Sequence, residues 1–178
     1  MIVLVGASAS GKTELAKQLY QSFGYKKCIT TTTRKPRINE KHDVDYHFLS
    51  TDQFRSLTES DAFYEITEYN GHFYGIQKRD VNPDGVVIVD PHGANTLIQK
   101  AGDLVYIVYV ETSEEIRKRR MMERKDDMEL IRKRLENDRI VFRKEAFLKI
   151  DLHLYNETHT LLDLAYRVHQ SYQYHLKK

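Results

Sequence analysis

Eight consecutive residues, Gly6-Ala7-Ser8-Ala9-Ser10-Gly11-Lys12-Thr13, carry the clearest chemistry in the chain. They match the pattern GxxxxGK[ST]. Small residues let successive backbone N–H groups curl around phosphate oxygens. A helix that starts at such a loop adds the positive end of its dipole. Lys12 can reach β- and γ-phosphates as a mobile point charge, and the Thr13 hydroxyl can ligate Mg²⁺. The loop therefore points to a bound nucleoside triphosphate. A second group of anion-seeking residues follows: Arg34 and Arg37 are two guanidinium forks, and Pro36 stiffens the turn between them. Tyr46 and Tyr74 can each add a phenolic O–H. Glu65 and Glu68 lie on one candidate strand, and neither periodicity nor spacing chooses between them. A third group is a basic stretch containing Arg117, Lys118, Arg119, Arg120, Arg124, Lys125, Arg132, Lys133 and Arg134.

The segment Thr30-Thr31-Thr32-Thr33-Arg34-Lys35-Pro36-Arg37-Ile38-Asn39-Glu40, followed by Val44-Asp45-Tyr46-His47-Phe48, resembles guanylate kinases. That family has a Thr-Thr-Arg-x-Pro-Arg stretch leading to Asp-Tyr-x-Phe. The resemblance continues through Phe63-Tyr64-Glu65 and Asn70-Gly71-His72-Phe73-Tyr74-Gly75, and it runs from the phosphate loop to Asn156. It implies transfer of the γ-phosphoryl of ATP to GMP, giving ADP and GDP, with Mg²⁺ as cofactor. The residues implied for ATP are Ala7, Ser8, Ala9, Ser10, Gly11, Lys12, Thr13 and Asn156, with Thr13 on the metal. Those implied for GMP are Thr30, Arg34, Arg37, Tyr46, Glu65, Tyr74 and Asp90. Lys12, Arg34 and the lid arginines Arg120, Arg124 and Arg134 are implied in catalysis.

Guanine shows N1–H and N2–H₂ donors on one edge. A carboxylate accepts both at once, and adenine lacks that pair. Glu65 stands where the family's guanine-reading glutamate stands, and the Thr30 hydroxyl can donate to guanine O6. A site built on such pairing rejects a base that leaves its buried acceptors unpaired. Arginines that close over two anions neutralise the transferring group and exclude water. Some positions depart from the family pattern. Asp-x-Asp-x-Gln-Gly is replaced by Ile88-Val89-Asp90-Pro91-His92-Gly93, so Asp90 keeps the second acid while Ile88 and His92 replace the first acid and the glutamine. Ile76 stands where a Ser or Thr is usual. Ala7 and Ala9 replace a common Pro and Gly in the loop, and both are small enough. These changes leave open a different phosphorylated acceptor, such as another nucleoside monophosphate or a phosphosugar. A guanylate-kinase-like protein-binding module is a further alternative, but such modules generally have a degraded loop, whereas Gly11, Lys12 and Thr13 are present.

The elements that must position these groups are legible as an α/β pattern. Ile2-Val3-Leu4-Val5 reads as a buried parallel strand. Leu15, Leu19 and Phe23 then fall at helical spacing, and Gly24 ends the helix. Residues 86–89 and 104–110 are apolar runs rich in β-branched side chains, each followed by a helical pattern. Thr112 with Glu115 suggests a capping box for the second helix. Residues 152–155 form a last candidate strand, and Leu161, Leu164, Ala165, Val168 and Tyr172 make the stripe of a closing helix. Strands alternating with helices predict a P-loop-type parallel sheet covered on both faces. Residues 31–79 break the rhythm. They contain a capped helix start at Ser50 with Gln53, and hairpin strands near 63–69 and 72–75, which reads as an acceptor-binding insertion. The expected division is a core of 1–30 and 80–178, a lid at about 117–136, and the insertion at 31–79.

The chain has 178 residues and a net charge of +2. Such a chain is long enough for one well-buried core. The single cysteine, Cys28, excludes an intrachain disulfide. The near-neutral charge gives no global field for nucleic acid. No apolar run is long enough to span a bilayer, and no signal-peptide pattern is present. The expectation is a cytoplasmic monomer or homodimer whose partners are the small nucleotides ATP and GMP, without membrane or nucleic-acid binding.

Overall fold

The computed structural model describes residues 1–36, 38, 40–69 and 71–177. Five strands form a parallel sheet: β1 (Ile2–Val5), β2 (Lys26–Lys27), β7 (Gly85–Ile88), β8 (Tyr106–Glu111) and β9 (Leu152–Tyr155). Their order is β2-β7-β1-β8-β9. Ile2 stands opposite both Val86 and Tyr106, which places β1 at the centre. All four of its residues are buried, as a strand covered on two faces requires.

One face is covered by α1 (Lys12–Phe23) and α6 (Leu161–His175). Leu15, Leu19, Leu164, Val168 and Tyr172 pack there against Ile2, Leu4 and Val108. Leu19 is fully buried, so Leu19→Ala would cost about 2–5 kcal/mol. Gly24 ends α1 at φ 72, a left-handed cap that suits glycine. Thr160 and Asp163 form a capping box at the start of α6. The opposite face carries α3 (Pro91–Ala101), whose Ala94 and Leu97 pack on Val3, Val5 and Ile107.

A second sheet of four strands has the order β4-β3-β6-β5. Its members are β3 (Thr31–Thr32), β4 (His47–Phe48), β5 (Phe63–Tyr69) and β6 (His72–Gln77). β5 and β6 are an antiparallel hairpin with a register shift between Phe63 and Glu65. Between β4 and β5 lies α2 (Thr51–Glu59), which starts at the Ser50–Gln53 capping box. Phe54 of α2 stacks on Phe63 and Phe73, tying the helix to the hairpin. After β8 come α4 (Glu114–Glu123) and α5 (Met128–Val141), which share a small core of Met121, Ile131 and Leu135. Ala9 of the phosphate loop packs against that core, so the two basic helices touch the loop directly.

The predicted Thr112–Glu115 capping box does not form. Ser113 is the N-cap of α4, and it makes no side-chain cap bond. Thr112 is buried, and its hydroxyl donates to the carbonyls of Ser10 and Asn156, each at 3.2 Å. The hydroxyl was better used behind the loop than at the helix end, because buried carbonyls without donors cost more than an exposed helix start.

Candidate active site

The phosphate loop sits between β1 and α1, at the C-terminal edge of the central strand. Gly11 adopts φ 96, and a Cβ there would collide with the Asn156 side chain. Only glycine allows that approach. Asn156 Nδ2 in turn donates to Ser10 O at 2.8 Å. Ala9 holds φ 60, a left-handed conformation that costs an L-residue about 1–2 kcal/mol. Small size is thus not the only demand at position 9; backbone strain also bears on it.

Lys12 folds over the loop. Its Nζ donates to Gly6 O at 2.5 Å and Ala7 O at 2.8 Å, and lies 3.3 Å from Ser10 Oγ. Burial pushes the ammonium down to about 8, opposed by the charge of Asp138 and reinforced by that of Arg117. A phosphate brought to this ammonium would supply the counter-charge that burial removes.

Behind the loop stands a buried ion pair. Arg117 Nη1 donates to Asp138 Oδ2 at 2.8 Å, with both side chains at most 7% exposed. The same carboxylate accepts from the Ser8 N–H at 2.9 Å and from Ser8 Oγ at 3.3 Å. Arg117 Nε reaches Thr112 O. Arg117, read from the sequence as part of the basic lid, is therefore a buried brace of the loop. Asp138 escaped sequence reasoning, because 130 residues separate it from Ser8 and no motif surrounds it.

A cleft of about 520 Å³ opens beside the loop, lined in part by Gly11, Lys12, Thr13, Arg120, Arg124 and Asn156. Arg120 Nη1 donates to Ala9 O at 3.2 Å, and Nη2 to Asn156 O at 3.1 Å. Arg124 reaches the cleft from the C-cap of α4, with its side chain 56% exposed. Arg134 does not line this cleft; it pairs with Asp126 at 2.8 Å. The structure thus brings two of the three predicted lid arginines to the cleft, and Arg120 to the loop itself. Thr13 lines the cleft, and among the described residues no group of three or more His, Cys, Asp or Glu forms a metal cage. A lone hydroxyl suits Mg²⁺ that arrives on phosphates and keeps several waters, as this cation prefers.

A second cavity of about 270 Å³ lies between the smaller sheet and the start of α3. Thr30, Tyr46, Glu65, Tyr74 and Asp90 all line it. Cross-strand pairing builds its sheet side: Glu65 stands opposite Ile76, and Thr67 opposite Tyr74. Glu65 is 6% exposed, and burial raises its carboxyl above the ordinary range, with a smaller opposing effect from a Thr67 hydrogen bond. Glu68 is exposed and does not line the cavity, so the strand's geometry separates the two acids. The backbone of α3 runs close by: a Cβ on Gly93 would lie 3.6 Å from Glu65 Oε1. Asp90 caps α3, its Oδ1 accepting from the Gly93 N–H at 2.8 Å. Thr67 is a cavity residue that sequence reasoning missed; its place two residues after Glu65 on a strand was the available signal.

The rings of Tyr46 and Tyr74 meet edge to face at 6.3 Å. The Arg34 guanidinium lies 5.5 Å from the Tyr46 ring, and its Nη2 donates to both oxygens of Glu40. Arg34 thus stands beside the tyrosines with part of its fork engaged by an internal acid. Arg37 lies outside the described residues. Ile88 is 38% exposed on the cavity wall, and Ile76 lines the same cavity while packing into the core. His92 is exposed on the first turn of α3 and does not line the cavity.

A parallel sheet with helices on both faces, and a glycine-rich loop entering a helix at its central strand, defines a P-loop nucleotide-binding α/β protein. The family model for guanylate kinase matches residues 1–158, and the chain belongs to that family. It is 32% identical over 154 residues to the guanylate kinase of Mycoplasma genitalium, an alignment covering 81% of this chain and 64% of that protein, just under two thirds of its length. It is 31% identical over 144 residues to the guanylate kinase of Geobacter metallireducens, covering 76% of this chain and 71% of that one. In fold it resembles the crystal structure of guanylate kinase from Anaplasma phagocytophilum, with a TM-score of 0.71 and 23% identity, over 99% of this chain and 87% of that one.

Proposed function

We propose that the protein transfers the γ-phosphoryl group of ATP to GMP, giving ADP and GDP. The observation that carries this reading is the buried Glu65 carboxylate in a cavity that also gathers Thr30, Tyr46, Tyr74 and Asp90. A buried acceptor pair selects a base edge with two donors, and guanine has that edge. Family membership and the guanylate kinases among its relatives support the same acceptor.

The reaction asks for little covalent work from the protein. It asks for in-line positioning and for compensation of charge in flight. Ala7, Ser8, Ala9, Ser10 and Gly11 wrap the donor phosphates with backbone N–H groups, braced by Asn156. Lys12 meets the β- and γ-phosphates. Thr13 would hold Mg²⁺, which supplies charge neutralisation across the phosphates. Arg34, Tyr46 and Tyr74, with Arg37, hold the acceptor phosphate, and Thr30 and Asp90 flank the nucleoside. Arg120 and Arg124 compensate the transferring group from the cleft. Arg134 joins them by exchanging Asp126 for phosphate as α4 and α5 close as a lid. Among the described residues no helix is long and apolar enough to cross a membrane, and we place the enzyme in the cytoplasm.

A steady-state assay with ATP and GMP, AMP, UMP or CMP side by side tests the reading. Strong preference for GMP is expected. Equal rates with AMP would remove Glu65 as the base reader. The apolar Ile88 on the cavity wall favours one alternative, a different phosphorylated acceptor, and preference for a non-guanine acceptor in the same panel would establish it.

A further inference from the structure

A buried histidine, His47, stands between two carboxylates from different parts of the chain. Its Nδ1 lies 2.6 Å from Asp43 Oδ1. Its Nε2 lies 3.3 Å from Asp80 Oδ1 and 3.2 Å from Asp80 Oδ2. Asp43 belongs to the turn that presents Tyr46, and its N–H donates to the Tyr46 carbonyl at 3.0 Å. Asp80 ends the short 3₁₀ turn that follows β6 and returns the chain toward the parallel sheet. The His47 N–H itself donates to Thr30 O at 2.9 Å. One residue therefore touches the Tyr46 turn, the Thr30 backbone and the return turn.

Two details mark the carboxylates that His47 joins. Asp43 holds φ 61, a left-handed conformation that aspartate tolerates better than most side chains and glycine adopts freely. Asp80 Oδ2 is buried without a hydrogen-bond partner among the described residues, and His47 Nε2 lies 3.2 Å from it.

We infer that His47 is a positioning residue of the acceptor site: by bridging Asp43 and Asp80 it pins the Tyr46 turn to the return segment and so sets affinity for the acceptor. This rests on the reading of Tyr46 as a ligand of the acceptor phosphate. His47 acts through Tyr46 and Thr30, without meeting the reacting atoms.

The two ring nitrogens can be replaced separately. An asparagine amide stands near Nδ1 and a glutamine amide near Nε2, so His47→Asn keeps the Asp43 arm and His47→Gln keeps the Asp80 arm. Asp43→Gly removes the carboxylate while relieving the left-handed backbone. Asp43→Gly is expected to melt no lower than the wild type, yet to raise KM for GMP about tenfold, with kcat and KM for ATP within about twofold. His47→Gln and His47→Asn each break one arm of the bridge, and both should show the same rise. A merely structural role would not raise KM in a variant at least as stable as the wild type. Unchanged KM for GMP in Asp43→Gly and His47→Gln would overturn the inference. Amide-exchange protection of residues 41–48 reads the latch without any acceptor: protection should fall in both variants, and unchanged protection overturns the latch. If the wild type transferred nothing to GMP, the acceptor reading would fall while exchange still decided the latch.

Discussion

The proposed donor cleft and acceptor cavity are built by different means. At the donor side the ligand-facing groups are mostly backbone, and the side chains behind them are buried and satisfied by one another. Asn156, Thr112, Arg117 and Asp138 all brace Ser8 or Ser10 from inside the molecule. At the acceptor side the ligand-facing groups are side chains, from the β5–β6 hairpin (Glu65, Thr67, Tyr74), from a turn (Tyr46) and from the cap of α3 (Asp90). They lean on aromatic contacts and on partly exposed pairs such as Arg34–Glu40. A phosphate chain presents the same charge and the same oxygen acceptors whatever its base, so backbone N–H groups suffice for it, whereas choosing a base needs side chains whose donors and acceptors match one base edge.

The comparison breaks first at Lys12. Lys12→Ala should cut phosphoryl transfer by about a thousandfold in a coupled ATPase-linked assay, and normal turnover would refute the mechanism. The buried brace comes next. Asp138→Ala leaves Arg117 buried without its partner and should destabilise the fold by about 3–5 kcal/mol, read by denaturant unfolding. A loss below about 1 kcal/mol would mean that water reaches the pair.

On the acceptor side, Glu65→Gln should lower kcat/KM for GMP by about a hundredfold while leaving KM for ATP within about twofold. A pH titration sharpens the same point. Burial raises the Glu65 carboxyl in the folded protein, so the folded state holds its proton to higher pH than the unfolded chain does. Ionising Glu65 thus lowers stability as pH rises from the ordinary carboxylate value through the raised one. Guanine binding has the opposite sign, because only the carboxylate accepts two donors. KM for GMP should therefore rise as pH falls through the raised value, and Glu65→Gln should abolish that dependence. KM for ATP should not follow it. The smallest effect is expected at Arg132, whose exposed pair with Glu136 makes it a solvated member of the basic stretch: Arg132→Ala should change transfer less than twofold.

Much of the parallel sheet could be read from the chain, because buried parallel strands are continuous apolar runs and their helices carry regular stripes. Residues 2–5 and 152–155 are strands over the ranges their composition suggests. The two-residue strands β2, β3 and β4 could not be read, since Lys26–Lys27 and Thr31–Thr32 have no apolar period and exist only through pairing. Thr112 misled for a related reason: a hydroxyl before a helix looks like a cap until a buried carbonyl nearby claims it.

The sequence by itself determined the phosphate loop, since a contiguous motif encodes a backbone shape and the chemistry lies in that backbone. Family resemblance carried the acceptor residues. Only the tertiary structure put Glu65 on the cavity wall and Glu68 in solvent, turned Arg117 from a lid residue into a brace with Asp138, and set Arg134 on Asp126 outside the cleft. Those choices depend on which side chains meet across long loops, and charge pairing in a buried setting is decided by distance in space, which spacing along the chain does not record.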